Sequence, residues 1–173
     1  MKKQSSRTVA FYGILIALAL VLSWAEAQIP VFFAVPGMKL GLTNVVVLFA
    51  LYCLGAKSAL FINLVRIVLV SFLFGNGVSV LYGLAGGLLS GMVMILLKKT
   101  GKVHIVTVSI AGGISHNVGQ ILVAMAMLET ARLAWYLMIL WLTGLATGAV
   151  IGLIGGELCK RLNRIIKKNE WGR

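Results

Sequence analysis

The residues of this chain best suited to chemistry are polar side chains set inside long apolar runs. Arg66 is the most telling. It closes the stretch Asn63-Leu64-Val65-Arg66, midway along an apolar segment from Ser58 to Phe74. A guanidinium at that depth in a bilayer costs at least ~2.5–3.5 kcal/mol on insertion scales, so it must face other protein and find partners there. Asn63 is one turn back on the same helix face. Two roles are open to Arg66. It could be a structural cation satisfied by helix-end carbonyls or by Glu26 reaching inward. It could instead wait for an anionic or carbonyl-rich ligand, the default reading of an intramembrane charge.

A second polar group is Ser115-His116-Asn117 with Gln120, behind Gly112-Gly113. On a helix His116 and Gln120 share one face, and Gly113 and Asn117 the adjacent one. Hydrogen-bonding side chains beside small residues are what a binding cavity needs; the plainer alternative is a packed, satisfied histidine. The third group is Lys39 with Thr43 and Asn44, at the entrance to another apolar segment. Free N–H groups at a helix N-terminus favour negative charge, and Lys39 adds a cation, unless it only snorkels to the headgroups. Glu26 and Gln28 could rim the same mouth. Convergence of the three groups would bind a small, partly apolar, anionic ligand. His104 and His116 have no thiolate near either, so no metal site is expected, and no cofactor.

The elements that must carry these residues are apolar helices. Six segments stand out, approximately Thr8–Trp24, Leu40–Leu54, Ser58–Phe74, Val78–Leu97, His104–Leu128 and Leu133–Leu158. Residues 1–173 thus read as a single all-α integral membrane domain with six transmembrane helices. The second segment is short against the ~20 residues a span requires, and the stretch before it, from Pro30 to Lys39, reads as irregular backbone tolerated only under protein or beside a wet cavity. The last two are long, as expected of tilted or protruding helices.

Composition agrees. Of 173 residues 60% are hydrophobic and 12% charged, the mean hydropathy is +1.02 and the net charge +12. A soluble domain is usually about 45–50% apolar and about 25% charged, so a water-soluble globule is excluded. The basic residues sit between apolar runs rather than on a solvated patch, which argues against nucleic acid. With both termini cytoplasmic, 13 of the 16 Lys and Arg residues fall inside, satisfying the positive-inside rule; the basic tail Lys160–Arg173 reads as a short helix on anionic lipid. An N-terminal signal peptide ending near Ala25-Glu26-Ala27 is the less favoured alternative, because the apolar stretch is at or beyond the usual h-region length. Cys53 and Cys159 fall at cytoplasmic helix ends, where no disulfide is expected.

Small residues mark the packing faces. Gly144, Gly148, Gly152 and Gly156 repeat at i, i+4, as do Ser79, Gly83, Gly87 and Gly91. Such stripes let backbones approach closely, within one bundle or against a sliding partner. A weaker set, Gly13 and Ala17 with Ala19 and Ser23 on an adjoining face, lies on the first helix.

The chain has no Asp, its four Glu residues are far apart in sequence, and no Gx₄GK[ST] loop occurs. Carboxylate-held Mg²⁺ chemistry and ATP hydrolysis by the chain itself are therefore not expected, and an enzyme is not the reading.

At Pro36-Gly37-Met38-Lys39-Leu40-Gly41-Leu42-Thr43-Asn44, at Asn63-Leu64-Val65-Arg66 and at Ser115-His116-Asn117-x-x-Gln120, the chain resembles a family of small bacterial membrane proteins. That family carries the labels "Gx transporter family" and "heptaprenyl diphosphate synthase component I". It is similar to the substrate-binding S components of energy-coupling factor (ECF) transporters. The resemblance implies a six-helix S-component-like bundle in the bacterial plasma membrane, which captures a vitamin- or precursor-like solute. A transmembrane T component and two cytoplasmic ATPases would supply the motion, the former meeting a small-residue face on the first helix, with Gly13, Ala17, Ala19 and Ser23 as matching candidates. Lys39, Asn44, Asn63, Arg66, His116, Asn117 and Gln120 are the expected binding residues. Two rivals remain: an accessory subunit of isoprenoid or quinone synthesis, which the missing Asp-rich motif disfavours, and a stand-alone secondary transporter.

Overall fold

The computed structural model describes residues 6–28, 41–74 and 77–170, leaving out the side chains of residues 7, 8 and 163–170. The described chain is all-helical: α1 (Ser6–Ala27), α2 (Asn44–Cys53), α3 (Ala56–Phe74), α4 (Gly77–Lys99), α5 (Ile105–Met127), a short 3-10 turn (Ala131–Trp135) and α6 (Tyr136–Glu170). Five stretches are long and apolar enough to cross a membrane: 9–27, 56–74, 77–99, 105–127 and 131–162. Their outward faces carry bare apolar side chains such as Ile14, Phe72, Trp135 and Met138, which water would not tolerate in this number and lipid does.

Two of the expected segments take a different form. The second shortens to the 10-residue α2, which rises about 15 Å, half the ~30 Å of a hydrocarbon core. Its sequence NVVVLFALYC is apolar on every side because neighbours surround it: Val46, Leu48, Ala50 and Leu51 are buried among residues of α1, α3, α4, α5 and α6. The basic tail is no separate surface helix either. Backbone helix runs unbroken from Tyr136 to Glu170, since no proline or glycine interrupts it after Gly156; Glu157 and Arg161 pair one turn apart at 2.9 Å along the way.

Side-chain contacts fix which helix ends lie together. Tyr12 Oη and Ser58 Oγ meet at 2.5 Å, joining the starts of α1 and α3. Lys98 Nζ donates to the Leu51 carbonyl at 2.5 Å, which puts a cation on the C-terminal end of α2. The Cys53 and Cys159 sulfurs, 3.0 Å apart, bring the end of α2 to α6. Lys57, Lys98, Lys99, Lys102, Lys160 and Arg161 consequently gather at one end of the bundle, and Arg132 stands at the other.

The glycine stripes are packing faces inside the bundle. A Cβ placed on Gly144 would lie 3.0 Å from the Gly113 backbone, one on Gly148 2.7 Å from Ile110 Cα, and one on Gly152 2.7 Å from Val106 Cα, so α6 lies backbone to backbone on α5 down to Gly156 beside Ile105. On its other side α5 meets α4 the same way, at Gly119 against Ala85. Gly83, Gly87 and Gly91 of α4 face Ile67, Asn63 and Leu60 of α3. The weaker α1 set divides. Ala19 and Ser23 are buried and so are not available to a partner, whereas Gly13 and Ala17 are exposed.

This packing predicts opposite outcomes for two glycines. Gly148→Leu should lose about 1–3 kcal/mol through overpacking, seen as a lower unfolding temperature and a smaller monodisperse fraction in detergent. Gly13→Ala, where a Cβ meets nothing within 4 Å, should leave both unchanged or slightly raise the unfolding temperature.

Candidate functional site

Arg66 is held from two directions. Its Nη1 donates to Thr43 Oγ1, and its Nη2 donates to Asn63 Oδ1 at 2.6 Å. Asn63 in turn donates from Nδ2 to the Gly87 carbonyl at 2.9 Å. The chain Thr43–Arg66–Asn63–Gly87 therefore ties the start of α2 to α3 and α4. It satisfies a cation that is only 7% exposed. The Arg66 Nε–H is buried and has no hydrogen-bond partner among the described residues.

Arg66 is one of the residues lining a cavity of about 30 Å³, room for roughly one or two waters. Four helices and one turn build its wall. Ser23 and Glu26 come from the last turns of α1, Gly41 and Thr43 from the turn into α2, and Arg66 and Ser71 from α3. Ser79 and Gly83 come from the first turns of α4, and His116 and Gln120 from α5, with Ile67 and Val70 as the apolar part. By these positions the cavity sits in the half of the bundle away from the basic end. Two further lining residues carry a polar atom, Ser23 Oγ and Gln120 Oε1, that is buried without a hydrogen-bond partner among the described residues. Buried polar groups are nearly always paired, and three residues with such an unmet atom line this one cavity.

Gly41 is the residue that shapes the entrance to α2. Its φ of +82° is left-handed, a conformation glycine adopts without cost. It turns its N–H onto Glu26 Oε1 at 2.5 Å, and a Cβ there would press on Asn44 and His116. On the opposite wall, Gly86 leaves the space that the His116 ring occupies: a Cβ would stand 2.9 Å from the ring.

The expected binding residues separate accordingly. Arg66, His116 and Gln120 line the cavity. Asn63 does not, and instead orients Arg66. Asn117 does not either: its Nδ2 donates to the Leu140 carbonyl at 2.7 Å and to Thr143 Oγ1 at 3.3 Å, clamping α5 to α6. The reason is register, because Asn117 shares the Gly113 face that lies on α6. Asn44 is buried at the start of α2 without lining the cavity. Lys39 lies outside the described residues. Gln28 turns away to its own helix, toward the Trp24 carbonyl.

Ser23, Glu26, Gly41, Thr43, Ser71 and Ser79 also line the cavity. Thr43 and Glu26 stand in sequence at the same mouth, Gly41 lies within the motif that ends at Asn44, and Ser23 and Ser79 belong to small-residue sets read as packing faces. Ser71 carries no sequence signal, since a serine in an apolar helix is common.

Comparison with known families gives one match. The family described as heptaprenyl diphosphate synthase component I matches over residues 15–158. The chain belongs to this family. Every residue lining the cavity and both glycine stripes fall within the span shared with heptaprenyl diphosphate synthase component I. No curated protein and no solved structure matches the chain.

The Arg66 chain makes a direct prediction. Thr43→Val removes the acceptor of Nη1 and should cost about 1–3 kcal/mol, the penalty of an unmet buried donor, whereas Thr43→Ser should stay within ~0.5 kcal/mol of the parent. Thermal unfolding in one detergent compares all three.

Proposed function

We propose that this chain is the solute-binding subunit of an ECF-type importer in the bacterial plasma membrane, with six helices and cytoplasmic termini. It would capture a small anionic solute of vitamin or precursor type. The observation that carries the reading is the cavity itself: a guanidinium, an amide and a hydroxyl, each with an unpartnered buried polar atom, belong to residues that line one space in the half away from the basic end. By the positive-inside rule the basic end is cytoplasmic, so the cavity faces the side from which a solute arrives. Arg66 Nε–H would bind an anionic oxygen, Gln120 and Ser23 would orient the rest, and His116 would close the far wall.

Entry requires the wall to move, because the cavity in this conformation holds little more than water. α1 is held by side chains, to α3 at Tyr12–Ser58 and to the turn into α2 at Glu26–Gly41, whereas α4, α5 and α6 also meet backbone to backbone. Opening would therefore part α1 and the turn into α2 from the α4–α6 layer, and binding would draw them together.

Energy would come from partners: a T component and two cytoplasmic ATPases, with the exposed Gly13 and Ala17 of α1 as the contact face. The chain would not itself be an enzyme. A second reading, an accessory subunit of isoprenoid synthesis, is favoured by the family's own description. Its chemistry would have to lie on a partner, since the chain has no Asp and no three of His, Cys, Asp and Glu come together among the described residues.

Affinity purification from native membranes followed by mass spectrometry separates the two. Recovery of the ATPases and T component is expected; recovery of a soluble Asp-rich prenyl synthase instead would sink the importer reading. Native mass spectrometry of the gently purified chain should also carry a bound small anion, which Arg66→Ala loses while still inserting and expressing. If Arg66→Ala fails to fold but its surviving molecules bind normally, Arg66 serves structure alone.

A further inference from the structure

Away from the cavity, the basic end holds a group that the proposed function does not use. Cys53 is the last residue of α2 and Cys159 lies near the apolar limit of α6; their sulfurs stand 3.0 Å apart, and both are free thiols. They are the only two cysteines of the chain. The surroundings are not sealed. Cys53 is partly exposed and Cys159 buried. The next residue of α6, Lys160, is exposed, and Lys98 reaches in over the Tyr52 ring at 4.9 Å to hold the Leu51 carbonyl. A polar reagent from the adjoining aqueous phase can therefore reach Cys53 first.

We propose that Cys53 and Cys159 are a redox-sensitive pair whose disulfide locks α2 onto α6. The chemistry is thiol–disulfide exchange with a low-molecular-weight disulfide as oxidant. Cys53 sulfur attacks one sulfur of the reagent, forming a mixed disulfide and expelling one thiolate, which takes the Cys53 proton. Cys159 sulfur then attacks Cys53 sulfur, forming the protein disulfide and expelling the second thiolate, which takes the Cys159 proton. Two protein thiols are oxidised and one reagent disulfide is reduced to two thiols. The helices need little rearrangement, because the sulfurs already touch.

The lock has a defined reach. α2 is a single short rod, with Cys53 at one end and, one residue before its other end, Thr43, which accepts the Arg66 hydrogen bond. Fixing the Cys53 end to α6 restrains the rod that carries Thr43. This part of the inference does not depend on what the cavity binds.

The test uses the full chain in nanodiscs, treated with glutathione disulfide and read by intact mass and by proteolytic mapping. The expected product is monomeric protein lighter by two hydrogens, containing a Cys53–Cys159 linked peptide and reverting with a thiol reductant. Its unfolding temperature should rise above that of the reduced form. Cys159→Ser should instead stop at a single glutathione adduct on Cys53, and Cys53→Ser should stay unmodified at buried Cys159. Accumulation of stable mixed disulfide on the parent chain would overturn the proposal, as would a disulfide-linked dimer or two unchanged thiols. Because the parent chain alone gives a decisive mass, the proposal stays falsifiable even if a serine variant folds badly.

Discussion

Helix α5 touches its neighbours through backbone on both sides, and the positions of the polar residues follow from that. A Cβ on Gly113 would stand 2.5 Å from the Gly144 carbonyl, and one on Gly119 2.6 Å from the Ala85 carbonyl. No side chain other than hydrogen fits at either place. In lipid there is no hydrophobic drive to press helices together, so such close dispersion contact is a main source of cohesion. It also removes rotational freedom. With Gly113 seated on α6, Asn117 faces α6 one turn later, and His116 and Gln120, on the adjacent face, line the cavity. The α4–α6 layer is thereby a fixed wall on which the softer α1 contacts can close.

The basic end is organised by a different force. α2 terminates inside the protein, and the carbonyls of its last turn would be orphaned there. Lys98 from the end of α4 meets one of them at Leu51, and the Leu54 and Gly55 N–H groups return to the Ala50 carbonyl at 2.8 and 3.0 Å. Gly55, at φ +97°, then reverses the chain into α3. The lysine that reads in sequence as a topological marker is thus also a helix cap, which is why it lies folded over Tyr52 rather than extended to solvent.

The sequence made most of the architecture readable and part of the site. Four apolar segments became helices within a few residues of their expected bounds, because a run of some twenty apolar residues has few other structures available in a bilayer. Arg66 stood out for the same reason: a charge in such a run demands partners. The pairing of small residues was harder. An i, i+4 stripe names a face without naming the neighbour, so the assignment of Gly144–Gly156 to α5 and of Gly83–Gly91 to α3 required the fold. Ala19 and Ser23, small residues that could equally serve packing or a partner surface, are buried by the fold. Asn117 misleads by one residue of register, since 100° of helix rotation separates it from His116. The tail of α6 looked like a separate element because its composition changes at Lys160, yet composition alone does not break a helix.

Arg66 joins these observations, and its two roles are compatible. Guanidinium presents five N–H donors in a rigid plane. Nη1 and Nη2 each donate one hydrogen bond, to Thr43 and Asn63, and those bonds fix the plane of a guanidinium whose Nε–H is left without a partner among the described residues. A lysine could supply the charge but, as a compact point charge on a flexible stem, would not be held in one plane by two such bonds. The two bonds hold the group in one orientation where it lines the cavity. The same residue ties the entrance of α2 to α3, and Gly41 just before that entrance donates to Glu26 of α1, so one buried cation and one buried carboxylate fix the turn from two sides.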